Sequence, residues 1–262
     1  MKIVVTVKLV PDLAAAKRID PSTKRLIRTG IDTVLNPFDE YAIEAALQLK
    51  EKLPDTTVTL FSMAPESSKE TFRKALAMGA DDAVVLSDPG LAGSDVWATS
   101  FAATQALRKI GFDLVLSGAL SDDGNTGGVP GALAENLGVP GLTNVRKIEE
   151  IADGRIRAQR ETDTGYQVVV GPLPAFVTVT MAVGEPRYAS LKGIMGAKKK
   201  TIATLSLQEL GIEKPVGSDG AKTEVLAIDP PKSREKARIV EAPDGATGAK
   251  AIFDFLRERK LV

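Results

Sequence analysis

Asp113-Leu114-Val115-Leu116-Ser117-Gly118-Ala119-Leu120-Ser121-Asp122-Asp123-Gly124-Asn125-Thr126-Gly127-Gly128 is the stretch on which the fold turns. Residues 113–117, with Leu114, Val115 and Leu116 at their centre, read as a short buried strand. The strand opens into a polar loop with glycines at 118, 124, 127 and 128, and helix-forming sequence follows to about residue 137. The same alternation repeats upstream. Residues 3–10 are rich in β-branched side chains and predict a first strand. Residues 11–35 are mixed, with a small hairpin expected over 25–34 around Thr29-Gly30. Asn36-Pro37-Phe38-Asp39-Glu40 has the composition of a helix start: Asn36 as N-cap, Pro37 at the first helical position, acids at the positive end of the dipole. Ala42, Ile43, Ala46, Leu47 and Leu49 follow at helical spacing. A strand over 57–63, a helix over 66–78 ended by Gly79, a strand over 83–86 and a helix capped by Ser94-Asp95 complete the series. The order β-α-β-α-β-α-β-α predicts an α/β fold, a Rossmann-like doubly wound and mostly parallel sheet. Such sheets take ligands at the carboxyl ends of their strands.

After residue 140 the pattern changes. Residues 145–151 and 155–159 flank Asp153-Gly154, a strong hairpin signal. Residues 173–181 read as an apolar strand. From residue 184 the chain is rich in Lys, Gly and Pro, with little periodicity until 248–259, a helix with Ile252, Phe253 and Leu256 on one face. A tail with so little core of its own is either disordered or laid on another surface. The expected division is therefore an α/β domain over 1–184 and an extension over 185–262.

Composition removes several kinds of chemistry. The 262 residues suffice for one sizeable core. Lys plus Arg and Asp plus Glu both number 34, so charge gives no argument for nucleic acid or an anionic membrane. The absence of cysteine excludes disulfides, thiolate metal sites, iron–sulfur clusters and a thiol nucleophile. The absence of histidine removes the commonest general base and metal ligand, and with them a Ser-His-Asp triad. Redox chemistry would have to come from a bound cofactor. No apolar run approaches the ~20 residues of a membrane span, residues 1–10 are too short for a signal peptide, and the cytoplasm is the default location.

The loop over 118–128 can aim backbone N–H groups at a phosphate, with Thr126 adding a hydroxyl and the glycines allowing close approach. It is neither a Walker A motif nor a GxGxxG fingerprint. Alone, it reads equally well as an ordinary connection. Asp122 and Asp123 fit either Mg²⁺ ligation or, more simply, solvated turn residues.

Five segments, taken together, resemble the beta subunit of electron-transfer flavoproteins. They are Val7-Lys8-Leu9-Val10-Pro11-Asp12; Asn36-Pro37-Phe38-Asp39-Glu40-Tyr41-Ala42-Ile43-Glu44-Ala45-Ala46; Lys74-Ala75-Leu76-Ala77-Met78-Gly79-Ala80-Asp81 with Gly93-Ser94-Asp95; Arg160-Glu161-Thr162-Asp163-Thr164-Gly165-Tyr166 with Leu173-Pro174-Ala175-Phe176-Val177-Thr178-Val179; and Glu185-Pro186-Arg187-Tyr188-Ala189-Ser190-Leu191-Lys192-Gly193-Ile194-Met195 with Ala197-Lys198-Lys199-Lys200. They fall in the family's order. Thr164-Gly165-Tyr166 departs from a stretch usually richer in Glu, Asp and Gly. The loop over 121–130 also differs from two familiar variants, Asn-x-Thr-Gly-Gln of the simple carriers and Asp-Gly-Asp-Thr-Ala-Gln-Val-Gly-Pro of the bifurcating members.

The resemblance implies a heterodimer. The alpha subunit of such proteins holds most of the FAD on a mobile domain, while the beta subunit is a fold of the adenine nucleotide alpha hydrolase type that usually buries AMP. By similarity Thr6, Asn36, Pro37, Phe38, Asp39, Met63, Asp123, Asn125, Thr126, Gly127, Gly128, Val129, Pro130 and Gly131 contact nucleotide or flavin, with Phe38 approaching the isoalloxazine ring. Arg187, Tyr188, Leu191, Ile194 and Met195 correspond to a recognition loop for dehydrogenases, Leu191 its anchor. Lys198, Lys199 and Lys200 would steer acidic partners. The tail would pack on the alpha subunit. The implied role is electron carrier, not enzyme: electrons come from dehydrogenases and pass to a quinone oxidoreductase or similar acceptor, with no nucleic acid partner and no direct membrane insertion. Two alternatives are a bifurcating complex with a second FAD in place of AMP and NADH oxidation, and a stand-alone adenine-nucleotide-binding protein.

Overall fold

The computed structural model describes residues 1–229 and 239–262. A nine-stranded sheet forms its centre. In chain order the strands are β1 (Lys2–Thr6), β2 (Thr57–Met63), β3 (Asp82–Leu86), β4 (Leu114–Gly118), β5 (Gly141–Ala152), β6 (Arg155–Thr162), β7 (Gly165–Pro172), β8 (Ala175–Val179) and β9 (Ile202–Leu205). Their spatial order is β7-β6-β5-β8-β4-β1-β2-β3-β9. Every neighbouring pair from β5 to β9 in that row is parallel. The β5-β6-β7 meander at one edge is antiparallel.

Alternation along the strands divides the core into two layers. Ile3 and Val5 of β1, with Leu60 and Leu116, pack against Ile43, Phe72 and Leu76 from α1 (Pro37–Lys52) and α2 (Lys69–Ala77). Val4, Phe61, Val115 and Phe176 point the other way, onto Ala102, Leu107 and Leu133 from α3 (Val96–Ile110) and α4 (Gly128–Leu137). Full burial of each large apolar side chain contributes about 1.5–3 kcal/mol. This is the doubly wound, mostly parallel sheet expected from the alternating pattern.

Local chemistry sets the boundaries. The side chain of Asp95 accepts from Ala98 N–H at 2.9 Å to start α3, and Gly111 at φ +73° ends it. Asp153 and Gly154, both at positive φ, make the β5-β6 turn. Several elements differ from the sequence expectation. The first strand stops at Thr6, because the Lys8 N–H turns away to the Asp39 carboxylate at 2.7 Å. Leu9–Pro11 pairs instead with Thr33–Leu35, and a second small ladder joins Ile19–Asp20 to Arg25–Leu26, so no hairpin forms around Thr29-Gly30. The helix expected over 66–78 begins as a 3₁₀ turn, Glu66–Ser68, before α2.

The chain forms two units, Met1–Val225 and Leu226–Val262. The sheet-bearing unit extends beyond residue 184: α5 (Leu191–Ala197) follows, and β9 pairs with β3. The second unit carries the helix Gly245–Glu258, begun by Asp244, whose carboxylate accepts from Thr247 N–H at 2.7 Å. Ile252 and Phe253 of this helix are exposed and none of its residues is buried. Among the described residues no helix is long and apolar enough to cross a membrane.

Candidate functional site

The carboxyl ends of the central strands meet two helix starts. Thr6 ends β1, in register with Phe61 of β2 and Ser117 of β4, and Met63 ends β2. Above them α1 begins. Asp39, in its first turn, is 4% exposed and accepts from Lys8 N–H at 2.7 Å and Gly118 N–H at 3.2 Å. Phe38 lies beside it, half-buried, with its carbonyl against Gly118. Asn36 precedes α1 as expected but its side chain makes no cap bond. Instead Asn36 Nδ2 donates to the Leu120 carbonyl at 2.9 Å and Oδ1 accepts from Asp122 N–H at 3.2 Å. One amide thus ties the start of α1 to the loop after β4.

That loop is held from below by cations. Asp123 has a side chain 1% exposed, bridged by Lys8 Nζ at 2.7 Å and by Arg28 Nη2. Lys17 Nζ pairs with Asp122 at 2.5 Å, and Lys8 Nζ also reaches Ser121 Oγ at 3.3 Å. The two aspartates are therefore neither free metal ligands nor simply solvated; they are ion-paired anchors. Burial alone would raise the Asp123 carboxyl, but Arg28 and Lys8 bring it down to about 2. The rest of the loop, Gly124–Gly127, is exposed, with Asn125 at φ +50° and Gly127 at φ +61°. Gly128 then starts α4, its N–H lying 3.4 Å from Thr126 Oγ1. Val129 and Pro130 are half-buried and Gly131 is exposed.

This arrangement suits an anion. The first turn of α4 contains no acidic residue and has no side-chain cap bond, so its leading N–H groups lack intrahelical acceptors at the positive end of the dipole. An added Cβ at Gly131 would meet nothing within 4 Å. The residues present fit a nucleotide phosphate held by backbone donors, with Thr126 beside them. Sequence reading placed Gly118 and Ser121 in this loop but did not identify Lys8, Lys17 or Arg28 as part of the site. The pairing of acids at 122–123 with cations at 8, 17 and 28 is legible only once the strands are placed side by side.

Burial pushes the Asp39 carboxyl up to about 7, against the pull of its amide donors and the Lys8 charge. Its ordinary value is 3.8. The folded state therefore binds more protons than the unfolded between about pH 4 and 7, and stability contributed at this position falls as pH rises through that window. Thermal melts of Asp39→Asn should lack this component of the slope between pH 4 and 7; an unchanged profile would place the titration elsewhere.

The segment after β8 carries a second group of candidate residues. Tyr188, Leu191 and Met195 are 94%, 83% and 71% exposed, and Ile194 is exposed beside them. Arg187 is turned inward to Glu44 and Glu51 of α1. The sequence grouped Arg187 with the exposed residues because a basic side chain next to a tyrosine gives no sign of facing inward.

A family model described as electron transfer flavoprotein domain matches residues 23–210. A chain from Mycobacterium tuberculosis (strain ATCC 25618 / H37Rv), named electron transfer flavoprotein subunit beta, is 41% identical over 266 residues, covering 99% of both chains. One of the same name from Megasphaera elsdenii is 38% identical, covering 99% of this chain and 97% of its own. A third, the caffeyl-CoA reductase-Etf complex subunit CarD of Acetobacterium woodii, is 34% identical over the full length of both.

Proposed function

The chain belongs to the electron transfer flavoprotein family, and on that premise we propose that it is the beta subunit of a heterodimeric electron carrier. In this reading electrons arrive from dehydrogenases and leave to a quinone oxidoreductase or similar acceptor, in the cytoplasm. FAD, held mainly by an alpha subunit, supplies the redox chemistry when bound, in keeping with a chain that has neither cysteine nor histidine. This chain binds and orients; it is not itself the catalyst.

The observation that carries the reading is the convergence of the α1 start and the loop 121–131 on the carboxyl ends of β1 and β4; α1, β4 and the loop lie within the family-matched residues 23–210. Thr126, Gly127, Gly128, Val129 and Gly131 would hold the phosphate of AMP through backbone N–H groups and the Thr126 hydroxyl, while Pro130, which has no N–H, would shape the first turn of the helix. Thr6, Asn36, Pro37, Asp39 and Met63 would shape the floor, Asp123 and Asn125 would fix the loop, and Phe38 would face the flavin ring. Residues 185–262 would serve association: the exposed Tyr188, Leu191, Ile194 and Met195 toward dehydrogenases, the arm beyond toward the alpha subunit. The exposed apolar residues of the helix Gly245–Glu258 support a partner there.

A second reading, a bifurcating complex with a second FAD and NADH oxidation, is favoured by one observation: a full-length relative is named as a subunit of a reductase complex. Both readings meet one test. The complex is co-purified with its alpha subunit, denatured, and its FAD and AMP counted per heterodimer by chromatography. One FAD and one AMP are expected. Two FAD without AMP would replace the carrier by the bifurcating enzyme, and neither nucleotide without a co-purifying partner would remove both.

A further inference from the structure

We propose that Arg187, Arg73 and Lys200 are positioning residues that lock the segment 187–200 into a pre-formed partner face; this rests on the reading that the exposed side chains of that segment meet a dehydrogenase.

The lock has two ends. At the first, Arg187 forks onto Glu44 of α1, with Nε to Oε2 at 2.7 Å and Nη2 to Oε1 at 2.9 Å. Its backbone N–H also reaches Glu44 Oε2 at 3.2 Å, and Nη1 bridges to Glu51 Oε1 at 2.6 Å. Gln48 Nε2 donates to Glu44 Oε1 at 3.0 Å. Glu44, Gln48 and Glu51 share one face of α1 by their spacing. The Glu44 side chain is 6% exposed, so the guanidinium fixes a carboxylate that would be costly to leave unpaired.

At the second end two helices cap each other. Arg73 Nη1, from α2, donates to the carbonyls of Ala197 at 2.9 Å and Lys198 at 3.2 Å, closing the carboxyl end of α5. Lys200 Nζ donates back to the carbonyls of Leu76 at 2.9 Å and Ala80 at 2.5 Å, closing the carboxyl end of α2. Between them a Cβ at Gly193 would lie 2.3 Å from the Ala77 carbonyl oxygen, so the two backbones touch. Lys200, grouped by sequence with the steering lysines, faces inward; Lys198 and Lys199 remain exposed.

A helix of seven residues does not persist alone. Here Ser190 Oγ caps its amino end by accepting from Gly193 N–H at 3.0 Å, Arg187 pins the chain just ahead of that cap and Arg73 closes its carboxyl end, while its outer face carries Leu191, Ile194 and Met195, next to Tyr188. A face already ordered before encounter loses less entropy on binding, which is the physical value of the lock.

The test uses the complex with its alpha subunit, read by amide hydrogen exchange and by turnover with the wild-type complex's own donor dehydrogenase. Arg187→Gln is expected to speed exchange across 188–197 at least tenfold and to raise KM for the donor several-fold, with exchange in β1 and β4, nucleotide content and kcat unchanged. The milder Glu51→Gln, losing one bridge, should move exchange and KM the same way by less. Glu44→Gln combined with Arg187→Gln should do no more than the worse single variant. Leu191→Ala should raise KM with wild-type exchange. Wild-type exchange across 188–197 in Arg187→Gln would overturn the lock, whatever turnover does. Faster exchange in Arg187→Gln with donor KM unchanged in both it and Leu191→Ala would instead remove the partner face, and the positioning role with it.

Discussion

Gly118→Ala is expected to lower stability by about 3 kcal/mol, the upper part of the usual range for overpacking. For a chain of this length that is roughly a 10 °C fall in melting temperature. A Cβ at this position would sit 2.5 Å from Asp39 Oδ1, 2.7 Å from the Phe38 carbonyl carbon and 2.8 Å from its oxygen. Two of those atoms are backbone in the first turn of α1 and cannot rotate away. The third belongs to a buried carboxylate that takes its second amide donor from Gly118 itself. Relief requires α1 to lift from the end of β4, which also separates Asn36 from Leu120 and Asp122. Nucleotide retention should therefore fall together with stability. Gly196→Ala, where nothing lies within 4 Å of the added carbon, is the control and should leave the melt near wild type. A wild-type melt for Gly118→Ala would mean that α1 is not seated on β4 as described.

Asp123→Asn should act on the ligand more than on the fold. The substitution leaves Lys8 and Arg28 facing an uncharged amide beneath the loop. Both cations are about half exposed, so water screens part of the loss, and about 2 kcal/mol is expected rather than the larger penalty of a fully buried pair. Because the loop N–H groups depend on this anchor for their aim, nucleotide dissociation should speed at least tenfold. The folded carboxyl, near 2, lies below its ordinary 3.8. The stability it confers is present above about pH 4 and is lost as pH falls toward 2. Denaturant melts should show the gap between wild type and variant widest at neutral pH and closing in acid. A constant gap, or unchanged dissociation, would remove the anchor role.

Local signals carried much of this architecture. Residues 57–63 have their observed bounds in the sequence because turn-forming residues flank a β-rich run. Asp95 and Gly111 likewise mark the ends of α3. The loop between β4 and α4 was legible as glycines between a buried strand and a helix. What stayed hidden depends on distant partners. Arg28 and Asp123 are 95 residues apart and Lys8 and Asp123 are 115 apart, with no periodicity to link them. The first strand ends early because a carboxylate at residue 39 takes an amide from residue 8. β7, α5 and β9 were missed for related reasons. β7 exposes Tyr166, Val168 and Val170 on one face and so lacks a core-facing pattern. The other two are short and depend on neighbours placed by the rest of the fold.

The strand order carries one more consequence, for biosynthesis. β1 leaves the ribosome first, yet it sits in the row between β2 and β4 and needs residues 114–117 to complete its second ladder. Both layers of the core close on it, so the nascent chain must keep one edge of an apolar, β-branched segment unpaired until residues 114–117 have been made. Contacts of such long range slow folding and leave sticky intermediates open to aggregation. Production of this chain should therefore respond more to chaperone supply and translation speed than its final stability alone would indicate.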